Sequence, residues 1–289
     1  VCPGLHSIFS SFELSTRRGP GTAALDLTVR RFDPRVSLFD IVFDGAARGG
    51  IKAFQRPAPL AQPSMAEIAG HVDAQTFAGS VSLVIGASRG LGELTAKLLA
   101  SGGARTVITY ASGREDAERI AAEIRGSGRG SCVARRFDVI GETADALADI
   151  LGEVTSVYFF ATPRIYRKKI GVFDPALFDE FAAFYIGRFH ALCLALEAAA
   201  AERKVRVYFP STVFVAERPK GMAEYAMTKA AAEVLIDDLN RTLRNVEIVC
   251  TRLPRLDTDQ TNSVVRVKTA SNLDALLPLV RAVELPPAG

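Results

Sequence analysis

One stretch constrains this fold more than any other. The apolar run Val81 to Ile85 leads directly into Gly86-Ala87-Ser88-Arg89-Gly90-Leu91-Gly92, and a helical run, Glu93 to Ala100, follows at once. A buried strand, a tight turn and an amphipathic helix in that order open a strand–helix–strand unit. Three glycines in seven residues let the backbone turn sharply and approach a ligand with no Cβ in the way. The N–H groups and positive dipole end of the helix then face outward, where a phosphate is best held. The spacing Gly-x-x-x-Gly-x-Gly differs by one residue from the fingerprint of many dinucleotide-binding domains. A ligand-free tight connection is the plainer alternative, and the position between a buried strand and a helix argues against it. Gly86, Ser88, Arg89, Gly90, Leu91 and Gly92 are therefore the expected phosphate-binding turn.

The same alternation continues through strand-like runs at Thr106 to Tyr110, Cys132 to Phe137, Ser156 to Ala161, Val205 to Phe209 and Val246 to Thr251. It predicts an α/β architecture, a doubly wound parallel sheet covered by helices on both faces. The N-terminal part reads differently. Phe9 to Leu14, Ala24 to Arg31, Ser37 to Asp44 and Gly50 to Arg56 are short strands separated by Gly, Pro and Asp turns, a small antiparallel β-meander. Pro57, Pro59 and Pro63 suit neither a helix interior nor a central strand. The expected organisation is a meander over 1–57, a linker over 58–79, the main domain over 80–265, and a C-terminal helix (Asn272 to Val283) and tail over 266–289.

Composition narrows the function classes. In 289 residues the net charge is only +3, and the basic groups Arg17-Arg18, Arg30-Arg31, Arg135-Arg136 and Arg167-Lys168-Lys169 are scattered without interleaved aromatics. This is a solvated surface and not a nucleic-acid footprint. Cys2, Cys132, Cys193 and Cys250 lack metal-ligand spacing, so no metal is expected and the thiols read as free in a reducing, cytoplasmic compartment. No uninterrupted apolar run approaches the roughly 20 residues of a membrane span, and the N-terminus does not resemble a secretory signal. The chain starts at Val1 and not at Met, so it is expected to belong to a longer polypeptide.

Cofactor choice is read at the end of the second strand of the main domain, where a carboxylate would select NAD(H). Here Tyr110-Ala111-Ser112-Gly113-Arg114 offers no acid. Arg89 and Arg114, with the Ser112 hydroxyl, suit a 2′-phosphate instead, which places NADP(H) ahead of NAD(H).

A second chemical signal is Tyr225-Ala226-Met227-Thr228-Lys229 at the start of a helical run. Spacing four puts phenol and ammonium on one helix face. A tyrosine of pKa about 10 becomes a useful acid near neutrality only beside a cation that stabilises its phenolate. The pair alone is a weak pattern. It gains from the strand Val205 to Phe209, which ends in Pro210-Ser211-Thr212, with Thr212 thirteen and Ser211 fourteen residues before Tyr225. Ligands of a doubly wound sheet gather at the carboxyl ends of its strands, where Ser211 or Thr212 can polarise a substrate oxygen.

Over roughly residues 80 to 262 the chain resembles the short-chain dehydrogenase/reductase family, a ketoreductase-like member with a Rossmann domain. Gly86, Gly90 and Gly92 match its cofactor glycines, and Tyr225 and Lys229 match its catalytic pair. The resemblance implies that Asp138 and Val139 contact adenine, that Ala161 lies beside the cofactor, that Lys229 also grips the ribose, and that Pro254 and Thr258 hold the nicotinamide amide. It places Thr212 at the catalytic serine, with Ser211 its neighbour.

Several positions depart from the family. Asn-Asn-Ala-Gly becomes Phe159-Phe160-Ala161-Thr162, the helical asparagine of the tetrad falls on Phe184, and Arg255 replaces a glycine. These departures keep open an impaired enzyme, or a non-catalytic dinucleotide-binding domain with a structural or regulatory role in a larger synthase. Turnover with a tightly held cofactor, as in an epimerase or dehydratase, is a third reading. Phe160, Phe184, Phe214 and Met222 are expected to wall an apolar pocket.

The segment Cys2 to Phe9 with the meander resembles the second half of a MaoC-like hot-dog dehydratase, which implies open sheet edges and a link to fatty-acid or polyketide-type metabolism. His6 is expected to be structural. Expected partners are thus a small-molecule or acyl-thioester substrate, and a second copy through the helices near 181–200 and 225–239 or further domains of a larger chain, with no nucleic acid and no membrane.

Overall fold

A computed structural model describes residues 7–16, 24–55, 60–166, 171–259 and 269–285. Cys2, His6, Pro57, Pro59 and Arg167 to Lys169 lie outside the described residues. The described chain divides into two compact units, with a boundary after Leu60; Asp259 falls with the first unit and 269–285 with the second.

The first unit is a four-stranded antiparallel sheet of β1 (Ser7–Thr16), β2 (Leu25–Asp33), β3 (Leu38–Gly45) and β4 (Ala47–Gln55), in the order β1-β4-β3-β2. Strands β2, β3 and β4 form a meander, and β1 returns to pair with β4. Strand alternation collects the apolar side chains on one face. Phe12 pairs with Ile51, Val29 with Ile41 and Leu27 with Phe43. Ile41, Phe43 and Ala53 are buried at its centre, and the Phe12 and Phe43 rings stack 6.1 Å apart. Phe9, Phe12, Leu25 and Leu27, on the two edge strands, stay about half exposed.

The second unit begins earlier than the proline linker implied. Ser64 and Glu67 form a capping box on the short helix α1 (Met65–Ile68). Met65, Ile68, Val72 and Phe77 are buried against the apolar cluster that includes Leu94, Leu98 and Leu99. Residues 61–79 are thus part of the α/β unit, because their apolar spacing outweighs the local breakers. Buried Lys97 locks the segment in place, pairing with Glu93 and Glu123 at 2.9 Å each and donating to the Pro63 carbonyl at 3.2 Å.

The unit is a six-stranded, all-parallel sheet of β5 (Val81–Ile85), β6 (Arg105–Tyr110), β7 (Ser131–Arg136), β8 (Ser156–Phe159), β9 (Val205–Thr212) and β10 (Val246–Leu253). Its spatial order, β7-β6-β5-β8-β9-β10, is that of a Rossmann fold and reverses direction between β5 and β8. Helices α2 (Gly90–Ser101), α3 (Arg114–Gly126) and α9 (Asn272–Glu284) pack on one face. On the other lie α4 (Ala148–Leu151), α5 (Pro175–Ala182), α6 (Phe189–Ala200) and, after the short α7 (Phe214–Glu217), the long α8 (Ala223–Thr242).

Between α5 and α6 the helix continues through a π-helical turn, Ala183–Arg188. Pro175–Ala200 as a whole is long and apolar enough to cross a membrane by composition. Its apolar face, with Phe181, Tyr185, Phe189, Leu192 and Leu196, is buried in the sheet's core.

Candidate active site

The glycine turn sits at the switch point. Gly86 follows β5 with φ +79°, and a Cβ there would lie 2.7 Å from the Ala161 backbone nitrogen at the end of β8. A Cβ on Gly92 would lie 2.5 Å from the Gly86 carbonyl. The turn is tied to β6, since Thr109 Oγ1 accepts from Gly86 N and Thr109 O accepts from Ala87 N. No side chain caps the N-terminus of α2, where Arg89 is the capping residue, so the first N–H groups of Gly90, Leu91 and Gly92 remain for an external acceptor. Thr258 closes on the turn, its methyl 3.8 Å from the Cβ position of Gly90. A cradle made of backbone, with an uncapped helix end behind it, fits a dinucleotide pyrophosphate.

At the end of β6 the chain assembles cations from two elements. A Cβ on Gly113 would lie 2.8 Å from Ser88 Oγ and 3.8 Å from Arg89 Nη2, so the Arg89 guanidinium lies over the Ser112-Gly113-Arg114 turn. Arg89 also meets Asp116 at 3.2 Å and Arg114 meets Glu118 at 3.1 Å, both at the surface. Exposed pairs of this kind are weak and yield readily to a better anion. Asp138, after β7, accepts from Ile140 N at 3.0 Å, and neighbouring Val139 is buried. Pro254 and Arg255 follow β10, and Arg255 lies over the Tyr166 ring, 5.5 Å from its centroid.

Tyr225 and Lys229 share one face of α8 beside the end of β9. Thr212 Oγ1 accepts from Phe214 N at 3.2 Å, and its side chain interacts with the Tyr225 phenol. Burial pushes the phenol above its usual range, and Thr212 partly offsets it. Lys229 is 4% exposed and donates to the Pro210 carbonyl at 2.6 Å. Its ammonium lies 3.8 Å from the Tyr185 ring centroid and 4.2 Å from that of Phe209. Burial lowers its pKa to about 7, while Cys250 and Glu233 pull in the other direction.

The two hydroxyls at the end of β9 part company. Ser211 donates to Glu233, whose carboxylate is also gripped by Arg252 through Nε at 2.9 Å and Nη2 at 2.6 Å. Thr212 therefore faces Tyr225 and Ser211 faces away from it.

The π turn adds a residue to the helix repeat and brings Tyr185 over Lys229, while Phe184 packs at the margin of the core. Phe214 stands edge-on to Tyr225 at 6.2 Å, whereas Phe160 packs against Tyr208 at 5.9 Å, in the cluster on the α2 side.

Tyr185, Glu233 and Arg252 were not among the expected site residues. Glu233 carried a signal, since it continues the spacing of four from Tyr225 and Lys229. The cradle and the pair meet through β8: Gly86 abuts Ala161, and the next residue, Thr162, bonds the Tyr185 hydroxyl. Among the described residues no cluster of side chains suits a metal ion, and Cys132, Cys193 and Cys250 are free thiols.

The chain matches the short chain dehydrogenase family model over residues 80–268. It is 30% identical over 195 residues, 60% of this chain and 70% of the relative, to an NADPH-dependent aldehyde reductase-like protein, chloroplastic, of Arabidopsis thaliana. A short-chain dehydrogenase of Burkholderia cenocepacia, solved in complex with NADP, superposes with a TM-score of 0.60 at 23% identity, covering 73% of this chain and 92% of that one. A 3-oxoacyl (acyl-carrier-protein) reductase of Agrobacterium tumefaciens, solved with NADP bound, gives 0.61 at 20% identity, with 72% and 88% covered. With a family match across most of the α/β unit and the glycine turn and Tyr–Lys pair in place, the chain belongs to the short-chain dehydrogenase family of oxidoreductases.

Proposed function

We propose that the protein reduces a carbonyl to an alcohol with NADPH, and that its substrate is a 3-oxoacyl thioester. One observation carries the reading: Thr212, Tyr225 and Lys229 converge at the carboxyl end of β9, and β8 links them to the glycine cradle. Gly86, Ser88, Arg89, Gly90, Leu91 and Gly92 would hold the pyrophosphate, Ser112, Arg89 and Arg114 the 2′-phosphate, and Asp138 and Val139 the adenine. Ala161, Pro254, Thr258 and Lys229 would hold the nicotinamide riboside. When bound, NADPH supplies the hydride.

Thr212 orients the carbonyl oxygen beside the Tyr225 hydroxyl. Tyr225 delivers its proton to that oxygen as negative charge develops. Lys229, as a cation, stabilises the phenolate left behind. The NADP-bound relatives and the aldehyde reductase-like relative support the cofactor. The acyl class draws support from the Agrobacterium reductase and from the resemblance of the N-terminal segment to part of a dehydratase. The free thiols suit a reducing compartment such as the cytoplasm.

A non-catalytic dinucleotide-binding role is the second reading. It is favoured by Lys229, whose ammonium lies against aromatic faces and sits 5.9 Å from the Tyr225 ring centroid. NADPH and NADH oxidation, followed at the nicotinamide absorbance band with a panel of ketones and 3-oxoacyl thioesters, separates the two. Turnover lost in Tyr225→Phe with cofactor affinity retained establishes the reductase. Cofactor binding without turnover on any substrate leaves the binding role.

A further inference from the structure

Lys229 is buried, and among the described residues its one hydrogen-bond acceptor is the Pro210 carbonyl at 2.6 Å. An ammonium carries three donors and would normally draw more oxygen around it. Here its other surroundings are rings: Tyr185 at 3.8 Å, Phe209 at 4.2 Å and Tyr225 at 5.9 Å. The first two are within the range at which the negative face of an aromatic ring attracts a cation.

The Tyr185 ring is fixed in that pose. The Thr162 and Tyr185 hydroxyls are hydrogen-bonded to each other, and Thr162 also bonds the Pro163 carbonyl at 3.1 Å. The ring stacks on Phe181 at 5.8 Å and 11°, and it meets Phe209 edge-on at 6.2 Å and 90°. It is 1% exposed, and the π turn aims it at the ammonium.

We infer that Tyr185 is a positioning residue of the catalytic pair: with Phe209 it holds the buried Lys229 ammonium in its charged form by the faces of two rings. The catalytic part of this inference rests on the carbonyl-reductase reading above; the cradle itself does not. Burial drives the lysine toward its neutral form near pH 7, and the rings oppose that drive. The groups facing the cradle are Cys250 on β10, Glu233 on α8 with its partners Arg252 and Ser211, Tyr225 on α8 and, toward Tyr185, Glu180 on α5. Carboxylates favour the cation as the rings do, but Glu233 is already held by Arg252 and Ser211. The ring of Tyr185 is therefore the part that matters, and its hydroxyl serves to hold the ring in place.

The test is a 13C-lysine NMR titration of the whole chain, with the Lys229 Cε signal assigned by its absence in Lys229→Met. Tyr185→Phe is expected to leave the titration of Lys229 unchanged. Tyr185→Leu, which keeps the pocket apolar and removes the ring, is expected to lower it by about one pH unit. An unchanged titration in Tyr185→Leu overturns the inference. A measurement on the unmutated protein stands beside it, should the leucine variant fail to fold. Protons on Lys229 Cε above two ring faces are expected well upfield of the other lysines, and an ordinary shift there also overturns the inference. In turnover, the pH profile of kcat is expected to move with the lysine in Tyr185→Leu and to stay in place in Tyr185→Phe. If no substrate is reduced at all, the reductase reading fails, and the titration and the upfield shift still decide the cradle.

Discussion

Gly86 and Ala161 are packed so closely that a single methyl group on Gly86 would lie 2.7 Å from the Ala161 backbone nitrogen. That contact joins β5 to β8 at the point where the sheet reverses its order, and it keeps the turn open to a phosphate. Gly86 also has φ +79°, a conformation that costs an L-residue about 1–3 kcal/mol. Gly86→Ala is expected to lower stability by about that amount and to abolish cofactor affinity. Thermal melts and NADPH fluorescence titration check both, and unchanged NADPH affinity would remove the turn from the cofactor site.

Loss of the acid should separate chemistry from binding. Tyr225→Phe keeps the ring that packs edge-on against Phe181 at 5.6 Å and removes the hydroxyl. Turnover is expected to fall on the order of 100- to 10,000-fold, with NADPH affinity unchanged by titration.

Thr212 and Ser211 are neighbours with different expected roles. Thr212→Val is expected to lower kcat on the order of a hundredfold, because the carbonyl loses its oriented donor. Ser211→Ala removes a hydrogen bond to Glu233 and is expected to cost about 1 kcal/mol of stability with kcat retained. Steady-state kinetics and melts on both variants check the assignment, and the reverse pattern would exchange the two roles.

Arg89 decides the cofactor in this reading. Arg89→Ala is expected to raise KM for NADPH about tenfold or more, the loss of a charge-assisted pair, and to leave KM for NADH unchanged. Equal effects on both cofactors would make Arg89 a general contact and not a reader of the 2′-phosphate.

The Glu233–Arg252 pair should leave an acid signature. Arg252 and Ser211 hold the Glu233 carboxyl below its usual range. A depressed carboxylate stabilises the fold fully above its unfolded pKa of about 4.3 and loses that contribution as pH falls through its folded value. The unmutated protein is therefore expected to lose melting temperature between about pH 5 and pH 3 more steeply than Glu233→Gln. Parallel curves for the two proteins would show that the pair contributes nothing measurable.

Self-association is open to a direct test. Val234 and Met227, seven residues apart on α8, are 65% and 51% exposed, and Leu194 on α6 is 45% exposed. The protein is expected to sediment as a dimer through these helices. Val234→Glu is expected to shift it to a monomer, since each copy would bury a carboxylate near its symmetry mate.

The parts of this molecule that were legible in the chain are those encoded locally. Gly86 to Gly92 lies between a strand and a helix, and Tyr225 and Lys229 lie one helical turn apart, so short-range geometry placed both groups before any fold was known. The central strands β5, β8 and β9 were readable for the same reason, because a strand buried on both faces is largely apolar, whereas the edge strands β7 and β10 carry exposed polar residues.

What lay beyond reach depended on distance along the chain or on departures from a regular repeat. Tyr185 reaches Lys229 from within a π turn, a departure from the regular helical repeat that no local pattern announces. Ser211 turns from Tyr225 because Glu233, twenty-two residues on, accepts its proton and is held by Arg252 from a third element. Residues 61–79, ahead of β5, proved to be part of the second unit, because Met65, Ile68, Val72 and Phe77 find an apolar surface built by α2 and α3. Local sequence carries φ preferences and helix faces; which side chain fills a buried space is settled by every element that borders it.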